Sequence, residues 1–199
     1  MMTQTHLLVA ASLLAKPGEK LRNTAVIVGS FVPDAAIYTL FIWSKLASIP
    51  EQKVWREIYW QEPWQTWTAA GNSLRFVMLP AFAGVAALRI PALAYRIGLF
   101  AVFLALAALT HVAGDLPVHA DDAHRHFWPL SDWKFISPVS YWHPDHHGGI
   151  FSILESMLGV MLAIILFRSF KGLWVRIVLV LVCLAYIALP LYFLLMFGG

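Results

Sequence analysis

Histidine and aspartate at helical spacing are the residues of this chain best suited to chemistry. His111 and Asp115 stand four positions apart at the end of a long apolar run. On a helix their side chains lie about 40° apart, so an imidazole and a carboxylate can reach the same ion. His119 continues that face only if the helix survives Pro117. The spacing favours a metal site and leaves a simple His–Asp hydrogen bond open as the alternative.

A second carboxylate, Asp34, lies inside another apolar run, in the segment Gly29-Ser30-Phe31-Val32-Pro33-Asp34. A charge in hydrocarbon is costly unless it is paired, protonated or metal-bound, so an intramembrane acid indicates a functional site. Pro33 removes a helix hydrogen bond and disfavours the helical conformation at Val32. The sequence therefore predicts a broken helix that presents Asp34 to a cavity. The alternative is an ion pair between Asp34 and an arginine of another helix.

Six of the eight histidines fall in one polar stretch, residues 114–149. Its segment Asp121-Asp122-Ala123-His124-Arg125-His126 places two acids and two histidines within six residues. Such a cluster completes a metal site, binds a second ion or only hydrogen-bonds its own loop, and the sequence leaves these three alternatives open. The many aromatic residues and the separated prolines predict an ordered cap rather than a solvated linker. We expect His146-His147 to be a solvated approach to the next helix.

The elements that carry these residues are predicted to be membrane helices. The chain has 199 residues, 60% of them hydrophobic and 13% charged, against about 25% charged in soluble domains. A soluble domain is thereby excluded, and the sequence predicts an all-α, polytopic membrane protein. A transmembrane helix needs about 20 apolar residues, and the runs long enough are 23–47, 74–90, 92–113, 150–167 and 173–197. The shorter run 6–15 predicts a half-inserted N-terminal helix, which is needed to bring His6 to the other candidate ligands.

Charge segregates strongly between the two sides of this five-span arrangement. The segments 1–22, 89–96 and 168–176 together carry eight basic residues and one acid. The positive-inside rule therefore predicts that these turns are cytoplasmic, and that the polar loops and the C-terminus face outward. We expect one membrane domain, 1–199, with outer loops at 49–73 and 114–149.

The first outer loop is rich in tryptophan. Trp55, Trp60, Trp64 and Trp67 have spacings that keep them roughly on one helix face, so the segment 51–68 predicts an amphipathic helix in the headgroup layer. This helix is either an aromatic belt or a floor that positions a lipid-derived substrate.

Composition also limits the cofactors and partners. A single cysteine, Cys183, excludes intramolecular disulfides and cysteine-based zinc motifs, so a bound metal must take nitrogen and oxygen ligands. Membrane lipids are the expected partners, with other membrane protein subunits as a further class. No nucleic acid partner is expected.

Scattered motifs between residues 3 and 155 resemble a known family. Thr5-His6, the Gly29 to Asp34 segment, Asn72-Ser73 and His111-x-x-x-Asp115 occur in the order of the YdjM-like, LexA-binding family of bacterial inner-membrane metal-dependent hydrolases. That family is distantly similar to zinc-dependent phospholipase C and related nucleases, which are all-helical. The resemblance implies a bacterial inner-membrane location and a divalent metal, zinc above all. The ligands that it implies are His6, Asp34, His111 and Asp115.

Two positions depart from the family pattern. Ala36 stands where the family has a second aspartate, and Asn72 stands where it has a histidine. These changes reduce a two-metal centre to a single ion or leave a site without activity.

The leading hypothesis is a membrane-embedded hydrolase that uses a metal-activated water on a phosphoester, with a lipid as one substrate class. Asp122 or His124 would serve as proton shuttle, and Arg125 would clamp the phosphate. The rival hypothesis is a non-catalytic accessory or assembly subunit of a larger membrane complex, with a degenerate metal site. A third, less favoured hypothesis is an ion or proton carrier.

Overall fold

All regular structure in the described part of the chain is helical, in agreement with the predicted all-α class. A computed structural model describes residues 1–90 and 93–197, and side chains as far as residue 188. In those residues the longer helices are α1 (Thr3–Leu14), α2 (Lys20–Phe31), α3 (Ala35–Leu46), α4 (Glu62–Asn72), α5 (Leu74–Ala87), α6 (Leu93–Asp115), α7 (Gly148–Ser169) and α8 (Leu173–Phe197).

Two of these helices are long and apolar enough to cross a membrane. They are α6, continued by the 3-10 turn Leu116–Val118, and α7. The pair α2 and α3 passes the same test together but bends by 69° between its halves, so it is a broken span or a re-entrant loop. Helix α5 and the stretch Leu173–Ala188 of α8 are apolar but shorter. Within the described residues, two or three helices can therefore span a membrane, and five spans remain a prediction.

Helix α6 is central to the packing because α1, α2 and α5 all contact it. Small residues allow these close approaches: a Cβ at Gly29 of α2 would overlap the backbone carbonyl of Leu104, and Ala107 and Ala108 are buried. Helix α1 packs on α2, α6 and α7. This short helix, predicted from the run 6–15, therefore carries His6 into the helix bundle.

The predicted break at Pro33 is confirmed, since α2 ends at Phe31 and α3 begins at Ala35. The end of α4 tethers the break. The buried side chain of Asn72 donates Nδ2 hydrogen bonds to the carbonyls of Pro33 at 3.2 Å and Thr68 at 3.1 Å. Asn72 therefore helps to hold the backbone next to Asp34.

The predicted single helix at 51–68 is wrong. The segment forms a helical turn at Glu51–Lys53 and a π-helical turn at Val54–Ile58, and α4 begins only at Glu62. Pro63 explains the interruption, because proline lacks an N–H and is favoured in the first turn of a helix. The turn is also drawn inward, since Val54 and Ile58 are buried against Leu40.

The cap, residues 114–149, is irregular but firmly attached to the helices. The N–H of Leu74 donates to the His126 carbonyl at 2.9 Å, and the Ser73 hydroxyl donates to the Trp128 carbonyl at 2.6 Å. The N–H of Ser137 donates to the His119 carbonyl at 2.9 Å. These bonds fix the cap over the end of α6, where the candidate site lies.

Candidate metal centre

The Asp115 carboxylate, at the end of α6, is the hub of the site. Its side chain is buried, and three imidazoles approach it. Nε2 of His6 lies 2.9 Å and Nε2 of His119 lies 3.2 Å from Oδ1, while Nε2 of His111 lies 3.0 Å from Oδ2. The amino nitrogen of Met1 is 2.5 Å from the same Oδ1. The structure thus concentrates cationic and metal-ligating groups on one buried carboxylate.

The orientation of His111 is set by the backbone of α2. Its Nδ1 lies 2.7 Å from the Ser30 carbonyl oxygen, and because a carbonyl only accepts, Nδ1 carries the proton. In a neutral ring the lone pair of Nε2 then faces the carboxylates of Asp115 at 3.0 Å and Asp34 at 3.5 Å. A cation between these acceptors would satisfy them, and a backbone carbonyl behind the imidazole is the usual support of a metal ligand.

The His6 ring stacks on the His111 ring, with centroids 3.5 Å apart and planes 4° from parallel. Nε2 of His6 faces Asp115, and its Nδ1 has no hydrogen-bond partner within the described residues, although the residue is fully buried. Two protonated imidazoles in this arrangement would repel each other at short range. The stack is therefore better suited to neutral rings that share a cation than to a pair of charged histidines.

Two overlapping groups of residues that could hold a metal ion meet at Asp115. In the helix trio of His6, His111 and Asp115, the ligand atoms all lie within 4.8 Å of one another, and the same holds for the cap trio of Asp115, His119 and His124. All five residues are buried. Nitrogen and oxygen donors in this combination fit a divalent ion such as zinc.

The cap trio has its own supporting groups. Nδ1 of His119 lies 2.9 Å from Oδ2 of Asp122, and the same oxygen accepts a hydrogen bond from Nε1 of Trp142 at 3.1 Å. Burial alone would lower the pKa of His119, but the carboxylates of Asp115 and Asp122 outweigh it and raise the pKa to about 9. Burial, helped by the neighbouring His119, lowers the pKa of His124 to about 3. His124 is therefore held neutral, the form in which imidazole binds a metal.

The four metal ligands implied by the resemblance lie close together. His6, His111 and Asp115 form the helix trio, and Asp34 stands beside it, 3.5 Å from His111. The other carboxylate oxygen of Asp34, Oδ2, accepts a hydrogen bond from the Tyr38 hydroxyl at 3.4 Å. Among the described residues Asp34 thus meets a histidine and a tyrosine rather than an arginine. That His6, Asp34, His111 and Asp115 bind a metal stays a prediction.

The three residues proposed for catalysis are placed differently from one another. His124 belongs to the cap trio, and Asp122 supports it through His119. Arg125 instead forms ion pairs with Asp132 at 3.2 Å and Glu62 at 3.5 Å. The structure therefore brings Asp122 and His124 to the centre and leaves Arg125 outside it.

His119 is the residue of the centre whose place the sequence left undecided. The chain stays helical through Pro117 as the 3-10 turn Leu116–Val118, and this turn places His119 beside Asp115. The spacing of His111, Asp115 and His119, at successive steps of four, was the available signal. Glu155 of α7 is a further acidic residue, near the start of α1. It is buried and accepts a hydrogen bond from the Met2 backbone at 2.6 Å.

Comparisons of this chain with protein-family models, with curated proteins and with solved structures find no match. The centre is therefore interpreted from its own geometry and donor chemistry.

Proposed function

We propose that this chain is a membrane-embedded, metal-dependent hydrolase of phosphoesters, with zinc as the metal. One observation carries the proposal: two buried ligand trios share Asp115, whose carboxylate faces Nε2 of His6 at 2.9 Å, of His111 at 3.0 Å and of His119 at 3.2 Å. A shared divalent cation accounts for this convergence of buried imidazoles on one carboxylate.

A bound zinc ion supplies Lewis acidity toward a phosphoryl oxygen and makes water more acidic. The chain's own residues perform the remaining tasks. The Ser30 carbonyl orients His111, and Asp122 orients His119. Oδ1 of Asp122 is buried and has no hydrogen-bond partner, so it is the group we assign to accept a proton from water.

The location of the centre favours a lipid phosphoester. Asp115 lies at the end of α6, which is long and apolar enough to cross a membrane. Under the proposed topology of five spans in a bacterial inner membrane, with the basic turns cytoplasmic, this end of α6 faces outward. A phosphoester bond at the headgroup level of the outer leaflet would then meet the centre at the right depth.

The test combines metal analysis with activity. Protein purified in detergent without chelators should contain at least one equivalent of divalent metal and should hydrolyse a phosphoester in a panel of lipid phosphates and soluble aryl phosphates. His111→Ala should lose metal and activity together. His147→Asn is the matched control, because His147 is exposed and its φ of 62° suits asparagine. The proposal would be overturned if the wild-type protein contained no metal and if His111→Ala hydrolysed the phosphoesters as the wild type does.

The second candidate is the non-catalytic subunit of a larger membrane complex. The cap exposes the apolar side chains of Leu130 at 78% and Ile136 at 69%, which makes them available to a partner subunit. Extraction in mild detergent separates the two candidates. A lone active particle supports the hydrolase, and a stable inactive assembly supports the subunit.

A further inference from the structure

An apolar groove lies between α1, α2, α7 and α8, at the end of α1 opposite the metal centre. Its volume is about 310 Å³, which is within the range of small-ligand sites. Leu8 and Ala11 of α1, Val26 of α2, Leu166 of α7 and Trp174 of α8 are among its walls. The groove is therefore built by four helices and not by one surface patch.

The described walls of the groove are almost entirely apolar. Asn23 is the one amide among the described lining residues, and both the oxygen and the nitrogen of its side chain bond the backbone of Lys16. Oδ1 of Asn23 accepts from the Lys16 N–H, and Nδ2 donates to the Lys16 carbonyl, both at 2.8 Å. Such a site favours an apolar occupant over water or a soluble metabolite.

Basic residues surround one end of the groove. The turns that join α1 to α2 and α7 to α8 both flank it, since Ala15, Asn23, Phe170 and Trp174 belong to the wall. Residues 16–22 and 168–176 contain one acid, Glu19, and six basic residues: Lys16, Lys20, Arg22, Arg168, Lys171 and Arg176.

Part of this positive charge is left without a partner. Glu19 lies 2.8 Å from Lys16 and 3.3 Å from Arg22, so it is already shared between two cations. Lys20, Lys171 and Arg168 are exposed, and within the described residues none of them forms an ion pair. The rim can therefore accept an anionic group from outside the chain.

These features point to one occupant, an anionic phospholipid. Helix α7 is apolar enough to cross a membrane, so lipid acyl chains are the medium beside the groove. Basic clusters at the ends of membrane helices are typical sites for anionic headgroups. We infer that one acyl chain of an anionic phospholipid lies in the groove along α1, with its phosphate at the basic rim. This inference does not depend on the hydrolase activity.

Trp174 provides the measurement. It lines the groove and is 78% exposed, so a brominated acyl chain in the groove will quench its fluorescence. The full chain is reconstituted in phosphatidylcholine with brominated phosphatidylglycerol or with brominated phosphatidylcholine at equal mole fraction. The difference between wild type and Trp174→Phe isolates the Trp174 signal from that of the other tryptophans. We expect stronger quenching by the anionic lipid.

Charge variants test the rim. Lys20→Gln combined with Lys171→Gln should weaken the preference for the anionic lipid by about fivefold per charge removed, the effect expected for a basic residue near a membrane surface. The matched control is Lys53→Gln combined with Arg56→Gln, which removes two exposed charges from the Trp-rich loop and should leave the preference unchanged.

A bulky side chain introduced into the groove tests whether an acyl chain lies there. Ala11→Phe should reduce Trp174 quenching by both lipids, whereas Ala86→Phe, at an exposed position of α5, should not. Equal quenching by both lipids in wild type, or an unchanged preference in the lysine variant, would overturn the inference. Protection of Trp174 from both lipids would also overturn it and would indicate a protein partner. If Ala11→Phe does not fold, the lysine variants still test the inference, because they change exposed residues.

Discussion

The helix trio and the cap trio share Asp115 but are held by different kinds of structure. His6 and His111 project from packed helices, where the rings stack at 3.5 Å and Ser30 fixes His111. His119 and His124 belong to a cap without long helices, where Asp122 supports His119. Helix packing thus preorganises one half of the centre, while the other half depends on loop hydrogen bonds. We therefore expect the helix trio to bind metal more tightly.

The largest effect is expected from Asp115→Asn, because this change removes the carboxylate that both trios share. Bound metal should fall to background in elemental analysis, and phosphoester hydrolysis should be abolished. Thermal unfolding with and without zinc separates lost binding from lost folding: the variant should remain folded, and zinc should no longer stabilise it. Zinc stabilisation equal to that of wild type would show that Asp115 is not the hub.

The next largest effect is expected when one histidine is removed from each trio. His111→Ala removes a fully buried ligand of the helix trio, and His124→Ala removes a ligand of the cap trio. Competition with a zinc chelator should show a greater loss of affinity in His111→Ala than in His124→Ala. The reverse order would mean that the cap, and not the helix bundle, provides the stronger ligands.

A smaller effect is expected from Asn72→Ala. Loss of its buried hydrogen bonds to Pro33 and Thr68 should destabilise the fold by about 1–3 kcal/mol. Because the tethered break holds Asp34 beside the helix trio, zinc affinity should also fall, by less than in His111→Ala. Thr66→Ala, at a half-buried position of α4 whose hydroxyl donates to the Glu62 carboxylate of the same helix at 3.0 Å, is the control in thermal unfolding and zinc titration. Equal stability and zinc affinity of the two variants would show that the tether at Pro33 does not support the metal site.

The smallest effect on stability is expected from Arg125→Ala. Its partners Glu62 and Asp132 are 75% and 80% exposed, and surface ion pairs contribute about 0–1 kcal/mol. Metal content should stay at the wild-type level. If Arg125 leaves these weak pairs to clamp a phosphate, KM should rise while kcat changes little. Unchanged steady-state kinetics would exclude that role.

The parts of the fold and of the site that belong to helices could be predicted from the sequence. Proline chemistry predicted the break at Pro33, and the four-residue spacing predicted that His111 and Asp115 share a face. The apolar run 6–15 predicted a short helix, and the family resemblance implied that its His6 belongs to the centre. The first two inferences rest on a local steric rule and on the fixed periodicity of a helix, so they were available from the residues alone.

The cap-borne part could not be predicted in the same way. Irregular backbone has no period, so the sequence did not decide whether His124 binds metal or only hydrogen-bonds its loop. His119 depended on how the chain passes Pro117, and the 3-10 turn there is a tertiary outcome. The prediction of a single helix at 51–68 is wrong because it gave the tryptophan spacing more weight than Pro63, a residue typical of a helix start.

X-ray absorption at the zinc edge of the zinc-loaded protein identifies the atoms that bind the ion. We expect a complex that remains stable during gel filtration, with imidazole nitrogen and carboxylate oxygen at about 2.0–2.2 Å from zinc. The imidazole contribution should decrease in His111→Ala and stay unchanged in His147→Asn. A protein that retains no zinc, or a spectrum with water oxygens alone around the ion, would contradict the metal centre at Asp115.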